Sequence, residues 1–127
     1  MHSPINPDGI APPASHYNHG FYVAPGSALM MLSGQLGEQA DGFCPKSAGE
    51  QARIAWSNVL TILGEKKFGI QNVVKVTSYI VGNENISEYV QAHRDIVGDY
   101  MPPWTLIVVQ RLGSPRFKIE IDVIAAG

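Results

Sequence analysis

Residues 73–82, VVKVTSYIVG, are rich in β-branched side chains and lie between two segments with helical periodicity. No other feature restricts the chain as much. A strand set between two amphipathic helices must turn apolar side chains toward them, so helices and sheet form layers. In the preceding segment, SAGEQARIAWSNVLTILGEKKFG, Ser47 and Glu50 have capping-box spacing. Ala52, Ala55, Trp56, Val59, Ile62 and Leu63 then make one apolar stripe, and Gly69 is placed to end the helix in a left-handed conformation. After the strand, Asn85 and Glu88 repeat the capping spacing. The second stripe is Ile86, Tyr89, Val90, His93, Ile96, Val97 and Tyr100.

Strands flank this centre. HGFYVAPGSALMMLSGQLG reads as two strands joined at Pro25-Gly26-Ser27. Leu29, Met31 and Ser33 alternate with Met30, Leu32 and Gly34, so the second of these strands is expected to be covered on both faces. WTLIVVQRL and FKIEIDVIA read as two further strands joined by the turn GSPR. In the last, Phe117, Ile119, Ile121 and Val123 share one face, and Lys118, Glu120 and Asp122 the other. The expected architecture is α+β, with both helices on one side of a single sheet and self-association to cover its remaining apolar surface. Residues 1–16, rich in Pro, Ser and Ala, are expected to be an irregular arm on one domain spanning residues 1–127.

The net charge of −2 gives no basic platform for nucleic acid, and Lys66-Lys67 is the only adjacent cationic pair. No apolar run approaches the length of a membrane span. The opening MHSPINPDGIAPPASHY has neither the basic start nor the apolar stretch of a secretion signal, and Cys44 is the single cysteine. A cytoplasmic location is expected. His16 and His19 form an HxxH on a loop without an obvious third ligand, so no metal site is expected. His93 is expected to be a hydrogen-bonded core or interface histidine. Asn85-Ile86-Ser87 is read as a helix cap.

Four short stretches remain: SHYNHG at 15–20, SGQLG at 33–37, PPWT at 102–105 and FKIEIDVIA near the end. In this order, and together with QARIAWSNVLTIL and VVKVTSYIV, they resemble the reactive intermediate deaminase family (Rid, formerly YjgF, also called endoribonuclease L-PSP). The resemblance runs from about Asn6 onward. It implies a chorismate-mutase-like fold, a mixed sheet packed against two helices, and a homotrimer with a small-molecule cleft between neighbouring subunits. It also implies hydrolysis of enamines and imines to a keto acid and ammonia, without cofactor or metal. Position by position, Tyr17 matches the cleft tyrosine, Glu120 the glutamate associated with the attacking water, and Ser33 and Gly34 the cleft floor. Trp104 and Thr105 fall at the cleft-lining strand start. Glu120 and Tyr17 are thus the candidate catalytic residues, and Ser33, Gly34, Trp104 and Thr105 the candidate substrate contacts.

One position departs from the family pattern. Members active on 2-imino acids carry an arginine two residues after a proline, where it clamps the substrate carboxylate. Aligned on Pro102, that position here is Trp104, which offers one N–H and no charge. Arg111 is seven residues further on, roughly 23 Å along an extended strand, while Arg94 lies in the second helix and Arg116 in a turn. The resemblance therefore implies a deaminase of an enamine or imine other than the small 2-aminoacrylate. Trp104 either forms a wall for a larger, flatter substrate or fills the cleft itself. A non-catalytic module binding a small metabolite or a protein in the cleft is the alternative, and endoribonuclease activity the weaker one.

Overall fold

A computed structural model describes residues 2–127. Seven strands and two helices follow one another as β1 (Ser3–Ile5), β2 (Gly20–Tyr22), β3 (Leu29–Met31), β4 (Gln35–Leu36), α1 (Ala48–Gly64), β5 (Val73–Val81), α2 (Ile86–Val97), β6 (Trp104–Val109) and β7 (Ile119–Ala126). The main sheet runs β3-β7-β5-β6, and β4 also pairs with β7. β5 and β6 are parallel, joined by the α2 crossover, and every other pairing in that sheet is antiparallel. This is the mixed sheet with two helices that the sequence predicts. No helix among the described residues is long and apolar enough to cross a membrane.

Both helices lie on one face. Ala52, Ala55, Trp56, Val59 and Leu63 of α1, with Tyr89, Ala92, His93 and Val97 of α2, are buried against Val76 and Ile80 of β5 and Ile119, Ile121, Val123 and Ala125 of β7. Alternation along β7 from Ile119 to Ala125 assigns every second side chain to this core. Lys118, Glu120, Asp122 and Ile124 are left to the opposite, helix-free face.

Local signals behave unevenly. Ser47 caps α1 as its spacing predicts, its Oγ accepting the Glu50 N–H at 3.1 Å. Asn85 occupies the corresponding place on α2, but its amide turns back to donate to the Val81 carbonyl at 2.7 Å and caps nothing. Gly69 does not end α1. The helix stops at Gly64, Lys67 takes the left-handed turn (φ 59°), and Phe68 N–H closes onto the Leu63 carbonyl at 3.0 Å. Gly69 is extended, its N–H engaged by Asn72 Oδ1.

Three pairings correct the sequence reading. The residue 1–16 arm is not wholly irregular: β1 pairs antiparallel with β2. Pro4 obscures this strand, but a two-stranded ribbon has free edges where a missing N–H is tolerated. β2 and β3 are not partners, since β2 takes β1 and β3 takes β7. β6 and β7 are likewise separated, because β5 lies between them. Within one subunit, Met30 of β3 packs on the core, whereas Leu29 and Met31 are 63% and 70% exposed, so cover for that second face falls to another copy.

Candidate functional site

Pairing of Glu120 with Tyr79 on one side and Leu36 on the other places its carboxylate on the helix-free face of β7. The chain between β3 and β4 passes directly over it. A Cβ on Gly34 would sit 2.7 Å from Glu120 Cδ, so this position takes glycine for space rather than for backbone freedom. Glu120 has no hydrogen-bond or ion-pair partner among the described residues. Burial, with the charge of Asp122 next along the face, pushes its carboxyl above the usual carboxylate range. Ser33, beside Gly34, is exposed and borders a groove of about 710 Å³ shared with Leu29, Met31, Ile62, Lys66 and Phe68.

A second group assembles at the start of β6. Met101 has φ 46°, and Asn18 fastens its carbonyl with both backbone N–H (3.1 Å) and side-chain amide (2.9 Å). Pro102 and Pro103 are buried, and the Pro103 carbonyl accepts Val76 N–H at 2.9 Å. Two prolines restrict the backbone just where β6 begins, and they deliver Trp104 opposite Val76 on the helix side of the sheet. The indole stacks on His93 (centroids 3.9 Å apart, 12° between planes) and donates Nε1–H to Ser78 Oγ at 2.9 Å. Ser78 also bonds the Tyr89 hydroxyl. Tyr17 meets Trp104 edge-on at 6.5 Å, its hydroxyl accepting Ala14 N–H at 3.1 Å.

His93 differs from expectation. It is fully buried, but neither ring nitrogen has a hydrogen-bond partner among the described residues. Burial, reinforced by the charge of His16, lowers its pKa to about 3, so it acts as a neutral aromatic shelf for Trp104. His16 and His19 instead bond the backbone carbonyls of Gly98 (2.6 Å) and Ala11 (2.7 Å). No group of three or more His, Cys, Asp or Glu able to hold a metal occurs among the described residues. Burial also raises the Cys44 thiol pKa, a direction opposite to that of an activated nucleophile.

Thr105 faces the other way from Trp104, on the helix-free side, and there it receives a residue the sequence reading passed over. Lys75 Nζ donates to Thr105 Oγ1 at 2.7 Å. Burial lowers the Lys75 pKa, and no carboxylate lies within ion-pair distance of it among the described residues. An irregularity between Val73 and Lys75 lets Val73 join the core while Lys75 turns outward. One subunit thus holds two separate pairs of predicted residues, Gly34 with Glu120 and Tyr17 with Trp104. Thr105 lies across β5 from Asp122, and Lys75 stands on β5 itself, four residues before Tyr79, the partner of Glu120.

The model of the endoribonuclease L-PSP family matches residues 9–127. The chain is 29% identical over 99 residues to the RutC family protein YjgH of Escherichia coli K12, covering 76% of this chain and 74% of that one. Among solved structures, the conserved Rid-family protein YyfB of Yersinia pestis, described as of unknown function, superposes with a TM-score of 0.86 at 22% identity over 99% and 98% of the two chains. A putative endoribonuclease of Thermotoga maritima gives 0.73 at 22% over 100% and 98%.

Proposed function

Since the chain belongs to the endoribonuclease L-PSP family, the Rid or YjgF proteins, we propose that it hydrolyses an enamine or imine metabolite in clefts between the subunits of a homotrimer. The observation that carries this reading is Glu120: a half-buried carboxyl without a partner, raised in pKa and overlain by a glycine that leaves it room. Protonation of an enamine at carbon gives the iminium ion, the electrophile. Water then adds to the C=N carbon, with Glu120 taking the water's proton, to form a carbinolamine. Return of that proton to nitrogen makes ammonia the leaving group, and as the C–N bond breaks Glu120 takes the hydroxyl proton, leaving the carbonyl. A carboxyl whose pKa is raised by burial suits both halves of this exchange.

The separation of the two residue pairs within one subunit supports a shared cleft, because a small ligand reaches both only if a neighbouring copy supplies one. Exposed apolar side chains at Leu29, Met31, Ile107 and Val108 favour such a neighbour. Trp104, braced by His93 and Ser78, serves in this reading as a fixed wall beside Tyr17. That restricts the substrate to enamines with flat apolar surface rather than the small 2-aminoacrylate. An endoribonuclease is disfavoured by the net charge of −2 and by Glu120 and Asp122 sharing one face.

The test is hydrolysis above the spontaneous rate of 2-aminoacrylate and of larger conjugated enamines generated in situ, followed as keto-acid and ammonia release. Wild type should act on the larger substrates, and Glu120→Gln should lose about 10²–10⁴-fold in rate, the usual contribution of a general base. Equal rates in the two proteins would refute the role of Glu120. Binding without turnover in wild type would point to a non-catalytic metabolite-binding module.

A further inference from the structure

We propose that the buried hydroxyl of Ser78 is a positioning group for the ligand cleft: it latches the Trp104 indole flat on His93, so that the wall this ring forms admits flat, conjugated enamines. This rests on the cleft reading above and extends it to a residue that no ligand touches.

Ser78 stands in a row that has no structural need of a polar group. Val76, Ser78 and Ile80 share the helix side of β5, and all three are fully buried. Here β5 is paired on both sides, to Leu106 of β6 and to Ile121 of β7, so the Ser78 backbone is fixed. A hydroxyl in such a place is unfavourable unless it is bonded, and an alanine would avoid that burden. Its two partners account for its presence: the Tyr89 hydroxyl, itself fully buried, and Trp104 Nε1–H at 2.9 Å.

The partners play different parts. An indole nitrogen only donates, so Trp104 occupies a lone pair of Ser78 Oγ. Tyr89 bonds the same oxygen from α2 and restricts its rotation. Stacking on His93, with centroids 3.9 Å apart and 12° between planes, holds the plane of the indole. Stacked rings attract over a range of offsets, so this contact alone lets the indole slide and turn within its plane. His93 lies against the indole face and cannot receive an N–H that leaves by the edge. Tyr17 meets the ring only edge-on, at 6.5 Å. Among the described residues, the Ser78 bond is thus the directional contact that decides which indole edge faces the core.

Release has a direction as well. Without the Ser78 hydroxyl the indole N–H is a buried donor lacking its acceptor, an unfavourable state. Tyr89 and His93 are sealed from water, whereas Trp104 is partly exposed. The indole therefore recovers a partner by turning outward to water, past Tyr17, into the space a flat ligand would take.

NMR on isotope-labelled protein follows the indole, and steady-state kinetics follows the cleft. Wild type, Ser78→Ala, Trp104→Phe and the double variant are compared, with the Trp104 N–H signal assigned by its loss in Trp104→Phe. In Ser78→Ala, solvent exchange of that proton should quicken by roughly two- to tenfold, the range one hydrogen bond supplies, and its ring contacts to His93 should weaken. Trp56, sealed in the core, reports on the fold as a whole and should not follow. On the larger conjugated enamines KM should rise by a similar factor while kcat changes less, so that selectivity over 2-aminoacrylate falls. In the Trp104→Phe background, whose ring has no N–H to latch, adding Ser78→Ala should leave KM where it was. Ser78→Thr and Ser78→Val, equal in shape, repeat the comparison with the hydroxyl kept and lost should alanine loosen the fold. The proposal is overturned by an indole that keeps its His93 contacts without the hydroxyl, by an unchanged KM in Ser78→Ala, or by an equal KM effect in the Trp104→Phe background. The hydrolase reading fails separately: with no turnover in any form but an indole released by loss of the hydroxyl, the latch stands and the deaminase falls.

Discussion

At the scale of single residues, burial holds Glu120, Lys75 and His93 toward their neutral forms. Glu120 is a case with two consequences. Its folded pKa lies above that of the unfolded chain, so the native state binds the proton more readily, and stability declines as pH rises through that window. Glu120→Gln should therefore raise Tm slightly at pH 7 while removing activity, a pairing expected of a group kept for chemistry rather than stability. His93 has the opposite linkage. The unfolded chain takes up its proton below about pH 6.5, but the native ring does so only near 3. Acidification through that interval favours unfolding by up to about 1.4 kcal/mol per pH unit. His93→Phe, which keeps a ring beneath Trp104, should flatten this slope by roughly 2 kcal/mol between pH 7 and 5, measured by urea unfolding. An unchanged slope would mean that the native ring takes up its proton over the same pH range as the unfolded chain. Of these residues Glu120 was legible from strand alternation together with the family resemblance. Lys75 was not, because alternation gives only its face, and its partner is supplied by a strand thirty residues away.

Among the elements, the connections depend on a side chain that periodicity alone marks only as polar. Gln51, fully buried on α1, donates to the carbonyls of Pro45 (2.7 Å) and Arg116 (2.9 Å) and accepts Lys118 N–H at 2.8 Å. It therefore joins the loop before α1 to the segment that leads into β7. The backbone at Gly37 passes so close that an added Cβ would lie 2.5 Å from Gln51 Cα. Gln51→Leu would leave these buried groups unpaired, and a loss of about 2–5 kcal/mol is expected in denaturant unfolding. A loss below 0.5 kcal/mol would show that water replaces the amide. Helices and β5 were readable because each repeats its pattern over nine or more residues. The partners of β2, β3, β6 and β7 were not, since a short apolar strand records which face is buried but not which strand lies beside it. β6 and β7 follow each other in sequence like a hairpin, and only the parallel β5–β6 pairing shows that β5 separates them.

For the molecule as a whole, the apolar side chains of β3 and β6 that one subunit leaves exposed set the next question. Met31→Glu introduces a charge at a site 70% exposed in the single chain, so it should cost the fold little. If copies meet there, it should shift light-scattering mass from a multiple of 13.8 kDa toward the single-chain value. A wild type already running as one chain would remove the inter-subunit cleft from the proposed function. The two tryptophans add a practical consequence. Trp56 is sealed in the core, whereas Trp104 is partly open, beside Tyr17 and one residue from the Lys75–Thr105 pair. The protein consequently contains two indole emitters of unequal access, and a water-soluble quencher reaches one and spares the other. Emission recorded with and without quencher isolates the signal of Trp104, an optical gauge already wired to the place where a ligand would arrive.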